Sequence, residues 1–246
     1  MTEPDPAGGA GPWGAASDPD RIADPQPPPR EPMFNAPWPA LAIVLAIVLA
    51  YALQSTLAPG DAGVMRWGFA PADLFTRPWP GLLTVMFVHA GWAHALMNAL
   101  GALAFGPPVA RLMGRGWKGP LLFFLYYLAC GVIATFGFTA LHLHSTEPMV
   151  GASGAIAGLM GGAARLLGPE ARPIAPLFSR PVFSLGSGWV IVNALMALFG
   201  GPFMSGARIA WEAHIAGFAA GALLLEPFDR LARWLNQYAL ERLRSR

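Results

Sequence analysis

Charged side chains are scarce in this chain: 12% of its 246 residues are Asp, Glu, Lys or Arg, against 54% that are hydrophobic. An ordinary soluble domain carries roughly 25% charge. With half that share a chain cannot cover a globular surface with polar groups, which excludes a freely soluble fold and places the protein in lipid. Cysteine is almost missing too. The single Cys130 falls within an apolar run, which excludes an intrachain disulfide and argues against a thiolate metal centre. A net charge of +2 is too small to attract nucleic acid. A short basic leader is also wanting: the first apolar run begins near Ala40, behind a long polar tail, so no secretory signal peptide is expected.

What the chain does have is apolar length. Six segments, about 40–57, 82–105, 120–141, 150–167, 182–199 and 209–225, lie near the roughly 20 residues that span a bilayer as a helix. Backbone groups in lipid must be satisfied internally, and these lengths suit helices rather than barrel strands. The expected fold is all-α: a polytopic membrane protein with a six-helix bundle over residues 38–225. The fourth and sixth segments are rich in Gly and Ala, so their hydropathy is weaker than that of the first and third.

The flanks differ in kind. Residues 1–37, with Pro27, Pro28 and Pro29 in a row, cannot bury enough apolar surface to offset their conformational entropy and read as a disordered cytoplasmic tail. Residues 226–246 place Phe228, Leu231, Leu235 and Tyr238 at helical spacing with arginines between them, the pattern of an amphipathic helix along the inner leaflet. Residues 59–81 carry Trp67, Phe69, Phe75 and Trp79 and read as a long outer loop dipping into the headgroups. Of the 16 Lys and Arg, a cytoplasmic N-terminus leaves only Arg66, Arg77 and Arg208 outside, so the positive-inside rule sets both termini in the cytoplasm. Chain size and Ala/Gly/Arg-rich usage point to a bacterial plasma membrane.

Polar groups inside spans are costly and by default mark function. Here they are His89, His94 and Asn98 in the second span, Ser153 in the fourth, Asn193 in the fifth and His214 in the sixth. Spans two, four and six run the same way. Ser153 and His214 fall near their outer ends, and His94, about twelve residues in, near the bilayer middle. His94 and Asn98 share a helix face; His89 does not, which weakens a two-histidine metal site. A serine, a histidine and spare hydrogen-bond donors are the parts of acyl transfer. The acidic residues between 40 and 225 are Asp61, Asp73, Glu147, Glu170 and Glu212, and none is placed to complete a triad: Glu212, two before His214, points to another face. Asn193 reads as a packing hydrogen bond, His142 and His144 as solvated, and the Gly154, Gly158, Gly162 series as helix packing.

Three blocks resemble the rhomboid family of intramembrane serine proteases. They are the stretch from Leu83 and Thr84 through His89 and His94 to Asn98; Gly151-Ala152-Ser153-Gly154, matching the family's Gly-x-Ser-Gly; and Ala213-His214 with Gly217 and Gly221, matching Ala-His-x-x-Gly-x-x-x-Gly. That resemblance implies a rhomboid-like bundle in which Ser153 is nucleophile and His214 general base, a dyad. His94, Asn98 and the backbone N–H of Ser153 would form the oxyanion hole. Gly217 and Gly221 would let the sixth helix lie against the fourth, Gly151 and Gly154 would flank the serine, and His89 would sit at the cavity edge. The family acts on membrane-spanning segments of other proteins, with lipid as surroundings and without metal or diffusible cofactor. Two departures stand out. Trp79 is followed by Pro80 and Gly81 where many members have Trp-Arg, and Ala157 stands where many carry an aromatic that stacks on the base histidine. His214 then needs another orienting neighbour. A non-proteolytic relative that binds transmembrane clients is the competing reading. A solute transporter would call for inverted repeats, and the sequence shows none.

Overall fold

A computed structural model describes residues 36–76, 80–168, 174–199 and 209–244. The proline-rich tail, Trp79 and Glu170 lie outside the described residues. Everything described is helix or connection, apart from one isolated bridge. Helix α1 (Trp38–Leu57) begins just after Pro37, with a second proline inside its first turn, where the missing N–H costs nothing. Then come α2 (Asp61–Trp67), a 3₁₀ turn at Pro71–Phe75, α3 (Gly81–Thr84) and a second 3₁₀ turn at Val85–Phe87. Helices α4 (Trp92–Met113), α5 (Lys118–Leu141), α6 (Ser153–Leu166), α7 (Arg180–Phe199) and α8 (Trp211–Arg244) complete the bundle. The outer loop expected over 59–81 is thus folded in its described part. Phe69 is buried and paired through its backbone with Met149, at 3.1 and 2.9 Å, whereas Phe75 is exposed.

Among the described residues, three helices are long and apolar enough to cross a membrane, α1, α5 and α7. A fourth span exists if the bent pair Gly81–Phe87 and Trp92–Met113 counts as one. The expected second span, 82–105, is therefore not one helix: the chain turns through 93° between its halves. Hydropathy misses the break because the residues on both sides are apolar. Its physical cause is a side chain from α1. Gln54 accepts the His89 N–H through Oε1 at 2.9 Å and donates Nε2 to the His89 carbonyl at 2.7 Å. Both backbone groups that would have continued a helix are spent on one buried amide.

Helix α6 has 14 residues, about 21 Å at 1.5 Å per residue and well short of a hydrocarbon core of about 30 Å. All of it is buried except Ser153 and Leu166. A helix wrapped by protein needs small residues rather than an apolar coat, which explains its Gly/Ala content. Its closest partner is α8. A Cβ on Gly217 would collide with the Gly154 carbonyl, and one on Gly221 with the Gly158 carbonyl. Small-residue seams of this kind let two backbones touch. At the far end of α6, buried Arg165 donates to the carbonyls of Ala175 and Ala222 at 2.7 and 2.9 Å and reaches Glu226 at 3.3 Å.

No break in α8 marks residue 226. The amphipathic segment expected as a separate helix continues the preceding one through Pro227, and a Lys118 ammonium bonds the Leu235 carbonyl at 2.8 Å.

Candidate active site

Three helices start at the same end of the bundle, each with a chemically useful residue in its first turn. Ser153 opens α6, His94 is third in α4 and His214 fourth in α8. The bend before Trp92 starts this helix ten residues later than the hydropathy window, so His94 falls in a first helical turn and its imidazole sits beside Gly151 and the serine.

Ser153 Oγ lies 2.7 Å from His214 Nε2. Serine is half-buried and reachable, while His214 is 9% exposed. The residue that sets this approach is glycine on both sides of the seam: Gly154, next to the nucleophile candidate, faces Ala134 and Ala213, and Gly217, one turn past His214, faces Gly154. Gly151 has φ +117°, a left-handed conformation that favours glycine. A Cβ there would stand 2.7 Å from both Cε1 and Nε2 of His94, and 3.6 Å from Ser153 Oγ. Its lack of a side chain therefore turns the chain into α6 and leaves room for the His94 ring edge next to the hydroxyl. The strap leading to Ser153 is pinned by the Phe69–Met149 bridge and by the Gly151 N–H on the Val85 carbonyl at 2.9 Å.

The other expected residues fall into place unevenly. Asn98 is buried one turn beyond His94, and one of its amide hydrogens goes to the His94 carbonyl at 3.1 Å rather than to the serine. The second hydrogen of that amide stays available as a donor. His89 is fully buried, not at a cavity edge. Its backbone is clamped by Gln54, its Nδ1 lies 3.3 Å from the Phe87 carbonyl, and its ring meets that of His94 edge-on at 5.1 Å. Glu212 does point away from His214, as its spacing implied, and pairs with His142 at 2.8 Å. His142 is therefore not simply solvated: it makes that hydrogen-bonding contact and packs on Phe138 with ring centroids 4.5 Å apart.

One contact at the candidate base differs from what the sequence implied. His214 Nδ1 lies 2.6 Å from Oδ1 of Asn193, a residue read as a packing amide. The Trp189 ring, one turn earlier on α7, lies tilted over the same imidazole at 5.5 Å. The available signal was a lone amide in an apolar span, together with the vacancy left by Ala157.

Electrostatics favour negative charge at this spot. The first N–H groups of a helix have no intrahelical partner and carry partial positive charge. Here α4, α6 and α8 bring three such ends together. A hydroxyl facing an imidazole nitrogen, inside a ring of helix N-termini, can lose its proton to that nitrogen and stabilise an oxyanion alongside. Among the described residues, no three His, Cys, Asp or Glu side chains stand together as metal ligands.

Comparison with known proteins finds relatives of one family. A putative rhomboid protease of Bacillus subtilis, YdcA, is 37% identical over 87 residues, covering 34% of this chain and 39% of that protein. The rhomboid protease GluP of the same organism is 33% identical over 132 residues, 53% of this chain and 24% of its own length. The chloroplastic RHOMBOID-like protein 9 of Arabidopsis thaliana is 35% identical over 83 residues, 34% and 17% of the two chains. Each match thus spans less than half of the curated relative. The family model for the rhomboid domain matches residues 76–228, a stretch that contains all three helix starts and the α6–α8 seam. By the extent of that match, and by the site it encloses, the chain belongs to the rhomboid family.

Proposed function

We propose that this integral membrane protein is a serine endopeptidase that hydrolyses peptide bonds in or near transmembrane segments of other proteins. The observation that carries the reading is the 2.7 Å approach of Ser153 Oγ to His214 Nε2. His214 takes the hydroxyl proton on Nε2 as Oγ attacks the scissile carbonyl carbon. The resulting oxyanion is held by the Ser153 N–H, by His94 and by the free amide hydrogen of Asn98. Collapse breaks the C–N bond, and His214 returns its proton to the leaving amine. Water, deprotonated by the same imidazole, then attacks the acyl carbon; the bond to Ser153 Oγ breaks and His214 returns the proton to Oγ, restoring the serine. No metal or diffusible cofactor enters this scheme.

The site also gives the topology a rationale. Six spans over residues 38–225, with both termini cytoplasmic in a bacterial plasma membrane, put the starts of α4, α6 and α8 toward the outer surface, where water for deacylation is at hand. Residues 1–37 are then a cytoplasmic tail and 226–246 a cytoplasmic extension. Short α6 fits as a span because its neighbours, not lipid, surround it. Substrates are single-span or other membrane proteins presented laterally.

The test uses purified full-length protein in lipid vesicles. Ser153→Ala and His214→Ala each lower cleavage of a single-span substrate by more than about 10³-fold while thermal unfolding stays unchanged. A fluorophosphonate labels wild type at Ser153. Cleavage that persists in the serine variant refutes the assignment, and folded protein that resists the probe favours a client-binding role.

A further inference from the structure

Helix α7 is mostly a lipid-facing helix: of its twenty residues only Val182 and Asn193 are buried. Burying an amide costs more than burying a leucine unless its hydrogen bonds are made. The side chain that α7 inserts most deeply is nonetheless Asn193, at 1% exposed. Its bonds show what it serves. Nδ2 donates to the Trp189 carbonyl at 2.8 Å, one turn back on the same helix. That bond fixes which way the amide faces, so Oδ1, an acceptor only, is turned to His214 Nδ1 at 2.6 Å. An acceptor at that distance requires a proton on Nδ1. The neutral ring then has its lone pair on Nε2, the nitrogen 2.7 Å from Ser153 Oγ. Ala157, fully packed at 1% exposed, offers the imidazole no ring to lean on.

We propose that Asn193 is a positioning residue that makes the site a Ser153–His214–Asn193 relay, locking His214 in the Nδ1–H tautomer and in the rotamer that aims Nε2 at the serine. This deepens the protease reading and rests on it. Asn193 does not touch the reacting atoms. When His214 takes the serine proton, the ring becomes cationic and its Nδ1–H bond to Oδ1 strengthens, so the amide stabilises the transition state more than the resting state. A hydrogen bond to a charged group is worth about tenfold to a hundredfold in an equilibrium or rate constant. The Trp189 ring closes the remaining side of the imidazole.

The experiment follows fluorophosphonate labelling and cleavage of a single-span substrate across pH, with full-length protein in vesicles and thermal unfolding recorded for each variant. Asn193→Leu keeps the branched shape and removes the acceptor. It lowers kcat and the labelling rate about ten- to a hundredfold and leaves KM within about twofold. Asn193→Asp restores an acceptor and recovers most of the rate. Its carboxylate stabilises the imidazolium, so the acid limb of its pH profile moves to higher pH. In wild type labelled with ¹⁵N-histidine, His214 gives a single Nδ1–H tautomer, and in Asn193→Leu a mixture. Unchanged kcat in folded Asn193→Leu, no recovery in folded Asn193→Asp, or an Nε2–H tautomer in wild type would each overturn the proposal. The two readings separate cleanly: failure of wild type itself to label sinks the protease, whereas labelling that ignores residue 193 sinks only the relay.

Discussion

Replacing Gly217 with alanine tests whether the α6–α8 seam sets the chemistry. The added Cβ has no room, because the Gly154 carbonyl oxygen already occupies its place and Ala134 Cβ is 3.4 Å away. Neither neighbour is the end of a flexible side chain, so the two helices must part by about 1 Å to regain contact distance. Gly217 is one turn from His214 and Gly154 is bonded to Ser153, so the separation falls on the dyad. The 2.7 Å contact stretches to the limit of a hydrogen bond or beyond. Misplacement by about 1 Å costs about 10²-fold in rate, and overpacking of this kind about 1–3 kcal/mol in stability. Initial rates of substrate cleavage in vesicles at a temperature where the variant is folded measure the first, and thermal unfolding the second. Gly221→Ala, one turn farther along, carries a similar stability cost with a smaller loss of rate. Gly188→Ala on α7, with nothing within 4 Å, leaves the rate unchanged and costs no stability. Folded Gly217→Ala cleaving within threefold of wild type would refute the claim that close helix approach positions the pair.

Three further outcomes follow from other parts of the fold. Gln54→Leu strands the N–H and C=O of His89, two buried groups at about 1–3 kcal/mol each, and lowers the unfolding temperature by several degrees as well as cleavage; an unchanged melting curve would show that the kink holds without the amide. Ala157→Tyr, which adds an aromatic ring one turn after Ser153, destabilises by about 1–3 kcal/mol and does not raise activity, since the position is packed and Trp189 already covers His214; a faster enzyme would contradict this. At the far end, Arg230 first and Arg165 second hold the Glu226 carboxyl below its ordinary range. A depressed carboxylate contributes stability that is present above the unfolded value and lost as pH falls through the folded one, so wild type loses more stability than Glu226→Gln on acidification below about pH 4.5; parallel curves for the two proteins would remove Glu226 from the account.

The sequence by itself determined the class and the cast. Low charge and long apolar runs dictate helices in lipid, because a backbone away from water must bond to itself. Ser153, His214, His94 and the seam glycines were legible because short motifs kept their spacing along the chain. Hydropathy was a poorer guide to where helices begin, since it records what surrounds a segment and not how its backbone is bonded. It gave 82–105 a continuous span that Gln54 interrupts, and it valued α6 by lipid standards although protein encloses it.

Only tertiary structure could decide what orients His214. Asn193 lies 21 residues away on another helix, and in sequence it is one more amide with an obvious local partner. Its meaning comes from direction: the bond to Trp189 turns one oxygen toward one ring nitrogen, and direction across helices is not written in spacing along a chain. The same holds for the 2.7 Å between serine and histidine, which the glycines permit but which the packing of α6 on α8 creates.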